Sequence, residues 1–152
     1  MNKALQGTRP TRQLLSMTLI GLLAFTAPAF GAGWAVSLSG AQEVPPNSSA
    51  AKGSGEISVM PDGMVSGSIM VSGMTPTAAH IHDGASSANG PVIIKLDRTA
   101  NGFAVPAGAK FTDEQLAKFK AGNTYVNVHS EAFPPGEIRG QLKPPAMPKS
   151  GY

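Results

Sequence analysis

Apolar and polar residues alternate in short runs along most of this chain, and Gly, Pro, Asn and Asp separate the runs. Such period-two alternation sends successive side chains to opposite faces of a strand. Trp34-Ala35-Val36-Ser37-Leu38-Ser39 predicts a half-buried strand with Trp34, Val36 and Leu38 inward. Gly53–Met60 and Met64–Ser72 predict the two arms of a hairpin. Ile57 and Val59 share a face of the first, and Val65, Gly67, Ile69 and Val71 share a face of the second. Pro61-Asp62-Gly63 between them has the residue types of a tight turn. Gly73–Thr77 reads as a connection. In the strand that follows, Ala79 and Ile81 point one way and His80 and His82 the other. Pro91–Leu96 is the most continuously apolar run outside the N-terminal segment and is expected in the middle of the sheet. Asp97–Asn101 predicts a turn and Gly102–Val105 a short strand. Asn123–Ser130 places Val126 and Val128 on one side, with Tyr125, Asn127 and His129 on the other. Glu137–Leu142 turns Ile138 and Leu142 inward. A direct hairpin between these last two strands brings His129 close to Glu137 and Asn127 close to Arg139.

The period changes once. Thr112-Asp113-Glu114-Gln115 has the spacing of a capping box, and Phe111 and Leu116 that of a hydrophobic staple. Leu116 and Phe119 share a face, and Gly122 supplies a stop. This predicts one short structural helix over 113–120. Seven or eight short strands with frequent turns and one helix predict an all-β fold, an antiparallel Greek-key-like β-sandwich. Its domain is expected to span residues 33–143, with residues 144–152 as a loosely attached, proline-containing tail.

The N-terminal segment follows a different logic. Lys3, Arg9 and Arg12 precede an apolar run from Leu14 to Phe25, and Ala27-Pro28-Ala29 supplies small residues at the spacing of a cleavage site. Residues 1–29 are therefore read as a cleaved signal peptide, which places the protein in the periplasm or outside the cell with no stable membrane anchor. The charge balance changes with its removal. Twelve basic and nine acidic residues become nine of each, because Lys3, Arg9 and Arg12 leave. No dense basic patch remains to bind nucleic acid. The chain has no Cys, which excludes disulfides and thiolate chemistry.

Candidate chemistry rests on the histidines. His80-Ile81-His82 on a strand puts two imidazoles on one face, and His129 occupies a similar strand-end setting. Three imidazoles suit copper, with zinc as the alternative, better than a hard ion such as calcium. The metal ligands expected are His80, His82 and His129, with Asp83, Glu131 or Glu137 orienting a ring or completing the shell. Met60, Met64, Met70 and Met74 cluster around one hairpin, as gap fillers or as thioether donors for Cu(I). Glu43 before Val44-Pro45-Pro46, and Glu131 before Phe133-Pro134-Pro135, are expected on rigid solvent-facing turns. Glu137 and Arg139 are expected to form a cross-strand polar ladder with Asn127 and Tyr125. Ser130 beside His129 points to the opposite face, so the two do not form part of a triad. Two other readings stand beside the metal site. One is a structural or interaction module of the envelope, pairing through a sheet edge with an envelope protein or another copy. The other is a copper-dependent oxidoreductase.

Three motifs carry a family resemblance. Leu38-Ser39-Gly40-Ala41-Gln42-Glu43-Val44-Pro45-Pro46 resembles the opening signature of the CHRD domain, named after chordin. Ala79-His80-Ile81-His82-Asp83-Gly84 with Gly90-Pro91-Val92 resembles its central motif. Tyr125–Ser130 followed by Pro135–Gly140 resembles its closing motif. In animal proteins the resemblance implies extracellular antagonists of bone morphogenetic proteins; in bacteria it implies exported and often single-domain chains. Chordin's Cys-rich modules have no counterpart here. The strand pattern is also similar to copper/zinc superoxide dismutase, whose copper site begins with His-x-His on a strand. That likeness implies His80 and His82 as the pair and His129 as a late copper ligand, with too few histidines for the bridging and zinc sites.

Overall fold

The computed structural model describes residues 33–144. The signal peptide expected over residues 1–29 lies outside them, as does the tail beyond Pro144. The elements in order are β1 (Trp34–Ser39), a 3-10 turn at Gly40–Gln42, β2 (Lys52–Val59), β3 (Val65–Ser72), β4 (Pro76–Asp83), β5 (Val92–Lys95), β6 (Asp97–Thr99), β7 (Gly102–Ala104), α1 (Asp113–Lys120), β8 (Thr124–Ser130) and β9 (Ile138–Leu142).

All nine strands join one sheet in the order β5-β4-β8-β9-β1-β2-β3-β7-β6. Every pairing in it is antiparallel. β5 and β6 stand at opposite ends of that order, yet Leu96 alone separates them in sequence. The sheet therefore curls until its two ends meet through one residue, giving a nearly closed antiparallel β fold. The expected fold class holds, with the two layers continuous at the β1–β9 seam.

The inner face is the core. Val36 and Leu38, Ile57 and Val59, Val65 and Ile69, Ala79 and Ile81, Val126 and Val128, and Ile138 and Leu142 are all buried. They are the alternate residues of their strands, as periodicity requires. Each such aliphatic side chain contributes roughly 1.5–3 kcal/mol by leaving water. The β2–β3 hairpin turns where expected: the Gly63 N–H donates to Met60 O at 2.9 Å, and Asp62 Oδ1 accepts from the Met64 N–H at 3.0 Å. Gly63 there has φ +87°, a conformation glycine adopts without a side-chain clash.

Helix α1 begins with the full capping box. Thr112 Oγ1 accepts from the Gln115 N–H, and Gln115 Oε1 accepts from the Thr112 N–H. Asp113 and Glu114 in the first turn, with Lys118 and Lys120 in the last, complement the helix dipole. Leu116 and Phe119 enter the core, and Phe119 packs against Trp34 with ring centroids 5.0 Å apart. The helix thus covers the end where β4 finishes and β8 begins. Lys118 reaches Asp83 at 3.5 Å, an exposed and therefore weak pair.

Three expectations need correction. The apolar run at 91–96 is not central: β5 ends the sheet and pairs with β4 alone. Its Ile94 and Leu96 are apolar because they close the core where the sheet folds over, while Val92 is 44 % exposed. Residues 97–99, read as a turn, form β6 and pair with β7, leaving Ala100 and Asn101 as the turn. Strand β4 also starts earlier than expected, at Pro76.

Candidate metal centre

The residues opposite the core on β4, β8 and β9 form a polar grid. Register places His80 across from Asn127, His82 across from Tyr125, and His129 across from Ala78, so His129 lies diagonal to His80. On the other side of β8, Asn127 faces Arg139 and Tyr125 faces Gln141. The Glu137 N–H donates to Val128 O, which sets Glu137 beside His129 as the hairpin pattern predicts.

This grid is not a solvent face. Two loops roof it, Gly40–Ala51 and Gly84–Pro91. Arg139 is 1 % exposed and holds the second loop. Its Nη2 donates to Ala85 O at 2.7 Å and Gln141 Oε1 at 3.1 Å, and its Nη1 to Ala88 O at 3.0 Å and Asn89 Oδ1 at 3.3 Å. Gln141 Nε2 adds bonds to Gly84 O and Gly122 O. The first loop is pinned by Asn47 Nδ2 to Glu137 O at 3.1 Å and by Ser49 Oγ to Glu137 Oε1 at 2.6 Å. Asn89 Nδ2 donates to Val44 O at 2.7 Å and joins the two loops.

Glu43 also departs from expectation. It does not sit on a solvent-facing turn but is 7 % exposed under the roof, where its Oε1 accepts from Asn127 Nδ2 at 2.6 Å. Gly136 touches the same pair; a Cβ there would lie 2.3 Å from Asn127 Nδ2 and 2.9 Å from Glu43 Oε1, so only glycine fits. Burial pushes the Glu43 carboxyl up to about 7, against the opposing pull of the Arg139 guanidinium and its hydrogen bonds. A carboxyl raised from its unfolded value of about 4.5 stabilises the fold fully below that value, and this contribution is lost as pH rises through 7. Replacing Glu43 with Gln is therefore expected to remove about 2 kcal/mol of pH dependence between pH 5 and pH 8. Urea unfolding of both proteins at the two pH values checks this; parallel pH profiles would contradict it.

The three imidazoles converge on the grid. His80 Nδ1 lies 3.0 Å from His129 Nε2, and one ring nitrogen from each of the three residues lies within 4.8 Å of the others. His82 Nδ1 lies 2.9 Å from Gly90 O, and His129 Nδ1 lies 2.9 Å from Pro134 O. A carbonyl can only accept, so both Nδ1 atoms carry the proton and both Nε2 atoms keep a free lone pair. His80 Nδ1–H then donates to His129 Nε2. His82 Nε2 is buried and has no hydrogen-bond partner, as does Asn127 Oδ1 on the same face. A buried acceptor without a partner costs about 1–3 kcal/mol.

Aromatic packing fixes His82 further. Its ring stacks on Tyr125 at 4.7 Å and 6°. The Arg139 guanidinium lies 3.5 Å from the centroid of the same Tyr125 ring, and the Tyr125 hydroxyl accepts from the Gly90 N–H. Tyr125 thus contacts both His82 and the residue whose carbonyl orients His82.

Backbone carbonyls, not carboxylates, orient these rings. Asp83 pairs with Lys118, Glu137 with Ser49, and Glu131 stands exposed on its turn. The sequence signal for this was weak: Gly90 and Pro134 are marked only as turn residues, and their carbonyls leave no trace in residue type.

Burial lowers His80 to about 4, helped by the facing charges of His129, His82 and Lys95. His82 is also lowered, chiefly by burial and despite its bond to Gly90. Both rings are thus neutral at pH 7, the form that ligates metal. An ion bound 2.0–2.1 Å from each nitrogen keeps tetrahedral ligands about 3.4 Å apart. His80, His82 and His129 would hold such an ion through one ring nitrogen each.

The geometry defines a class: an antiparallel β domain with a roofed polar face and a three-histidine cluster on its outer side. The chain belongs to the CHRD domain family, whose model matches residues 34–142. No curated protein and no solved structure matches it. The three motifs of the family resemblance meet on this one face, Glu43 from the first, His80 and His82 from the second, and Asn127, His129 and Arg139 from the third.

Proposed function

We propose that this chain is an exported metal-binding domain that holds one copper ion on one ring nitrogen each of His80, His82 and His129, with zinc as the alternative ion. The observation that carries the reading is the convergence of His80, His82 and His129, with the buried Nε2 of His82 lacking a protein partner. A buried lone pair without a protein partner suits a cation. Nitrogen donors without thiolate favour copper or zinc, and divalent copper binds such donors more tightly than zinc. Export rests on Lys3, Arg9, Arg12, the apolar run and Ala27-Pro28-Ala29, which direct the chain to the periplasm or beyond.

Titration of the metal-free protein with Cu(II), Cu(I) and Zn(II) tests the reading. One ion per chain is expected, with copper preferred. Because His80 resists protonation until pH falls toward 4, its share of the affinity should persist until pH falls toward that value. The sign follows from the lowered value: the folded, metal-free protein takes up protons later than ordinary imidazoles. Affinity unchanged in a His80→Ala/His82→Ala variant would overturn the assignment.

A further inference from the structure

We propose that the open position of this centre takes a small anion, recognised by Lys95. The inference rests on the three-histidine reading above. Three protein ligands leave a fourth position on a tetrahedral ion. Among the described residues, three carboxylates near the centre are engaged, Asp83 with Lys118, Glu137 with Ser49 and Glu43 with Asn127, while Glu131 stands exposed on its turn. These three pairings leave the fourth position open to a ligand from outside the chain. His80 and His129 are half-buried, so the approach lies between them, while the deeper His82 is closed off by Gly90 and Tyr125.

Lys95 sets the sign of what approaches. It pairs directly with His80 across β4 and β5. Directly opposed residues of an antiparallel pair share a face, with Cβ atoms about 4.5–5.5 Å apart. Lys95 is exposed and has no salt-bridge partner among the described residues. Its charge already acts on His80. Arg139, the other cation near the face, is sealed under the Ala85–Asn89 loop and bound to carbonyl oxygens. A lone ammonium beside a cation site works against the metal. With an anion as the fourth ligand, the same charge becomes attractive to that ligand and steers its approach. Lys95 thus favours an anionic ligand over a cationic or neutral one.

Azide is the probe, added to the full exported chain after loading with Cu(II), and read by its ligand-to-copper charge-transfer absorption. Lys95→Gln is expected to weaken azide about two- to fivefold, the range of an exposed charge pair. Lys95→Glu should weaken it further, and Lys95→Arg should restore it. The wild-type azide affinity should also fall as non-coordinating salt is added, with a flatter dependence in Lys95→Gln. Copper affinity should be equal or slightly higher in the Gln variant. Equal azide affinity in wild type, Lys95→Gln and Lys95→Glu, with copper still held by the histidines, would overturn the anion site alone. Copper affinity unchanged in His82→Ala would overturn the underlying centre instead.

Discussion

Replacing Arg139 with Met is expected to lower the unfolding free energy of the metal-free protein by about 3 kcal/mol. The guanidinium makes four hydrogen bonds to oxygens of Ala85, Ala88, Asn89 and Gln141, and it covers the Tyr125 ring. Methionine fills similar volume but leaves these acceptors without donors under the roof. The loss reaches the histidines as well. Arg139 holds the loop that ends at Gly90, and Gly90 O orients His82. Metal affinity should therefore fall about 10- to 100-fold, the usual effect of removing a group that orients a ligand. Arg139→Lys keeps the charge but not the planar fork, so it should recover only part of either loss. Urea unfolding and metal titration of the two variants check this. A stability change under about 1 kcal/mol would show that the roof does not depend on Arg139.

The second large effect concerns His82, where structural and metal-binding roles predict opposite results. His82→Phe keeps a ring to stack on Tyr125 and removes the unpartnered Nε2. It also gives up the bond to Gly90 O, so the two changes offset each other. Metal-free stability should stay within about 1 kcal/mol of wild type. Metal affinity should fall by more than about 100-fold, because a ligand is lost and not merely a group that orients one. Stability added by excess ion, measured as a shift in thermal midpoint, should vanish with it. A histidine kept only for packing would give the reverse: a less stable protein with unaltered ion binding.

Much of this was legible in the sequence, and the boundary is instructive. Alternation marked the strands containing Val36, Ile57, Ile69, Ile81, Val126 and Ile138 because each packs one face on a common core. The capping box at Thr112 is a local signal and survives intact. The turn before Glu137 fixed the register that sets Asn127 opposite Arg139. Alternation also separated His80, His82 and His129 from the core, and the structure brings their rings together. Periodicity tells which residues share a face but not what covers that face. Glu43, Arg139 and Asn127 were therefore read as exposed or ladder-forming, whereas the Gly40–Ala51 and Gly84–Pro91 loops bury them. The orienting groups of His82 and His129 are main-chain carbonyls, which every residue possesses. The edge position of β5 was hidden for a related reason. Its apolar run reflects the place where the sheet closes on itself, a property of topology that a local run does not encode.

The central claim is that His80, His82 and His129 hold one ion together. X-ray absorption at the metal edge of the copper-loaded protein reads the donor atoms directly. Three imidazole nitrogens at about 2.0 Å are expected, falling to two in His82→Ala. A shell of oxygen donors, or one unaltered by His82→Ala, would contradict the account.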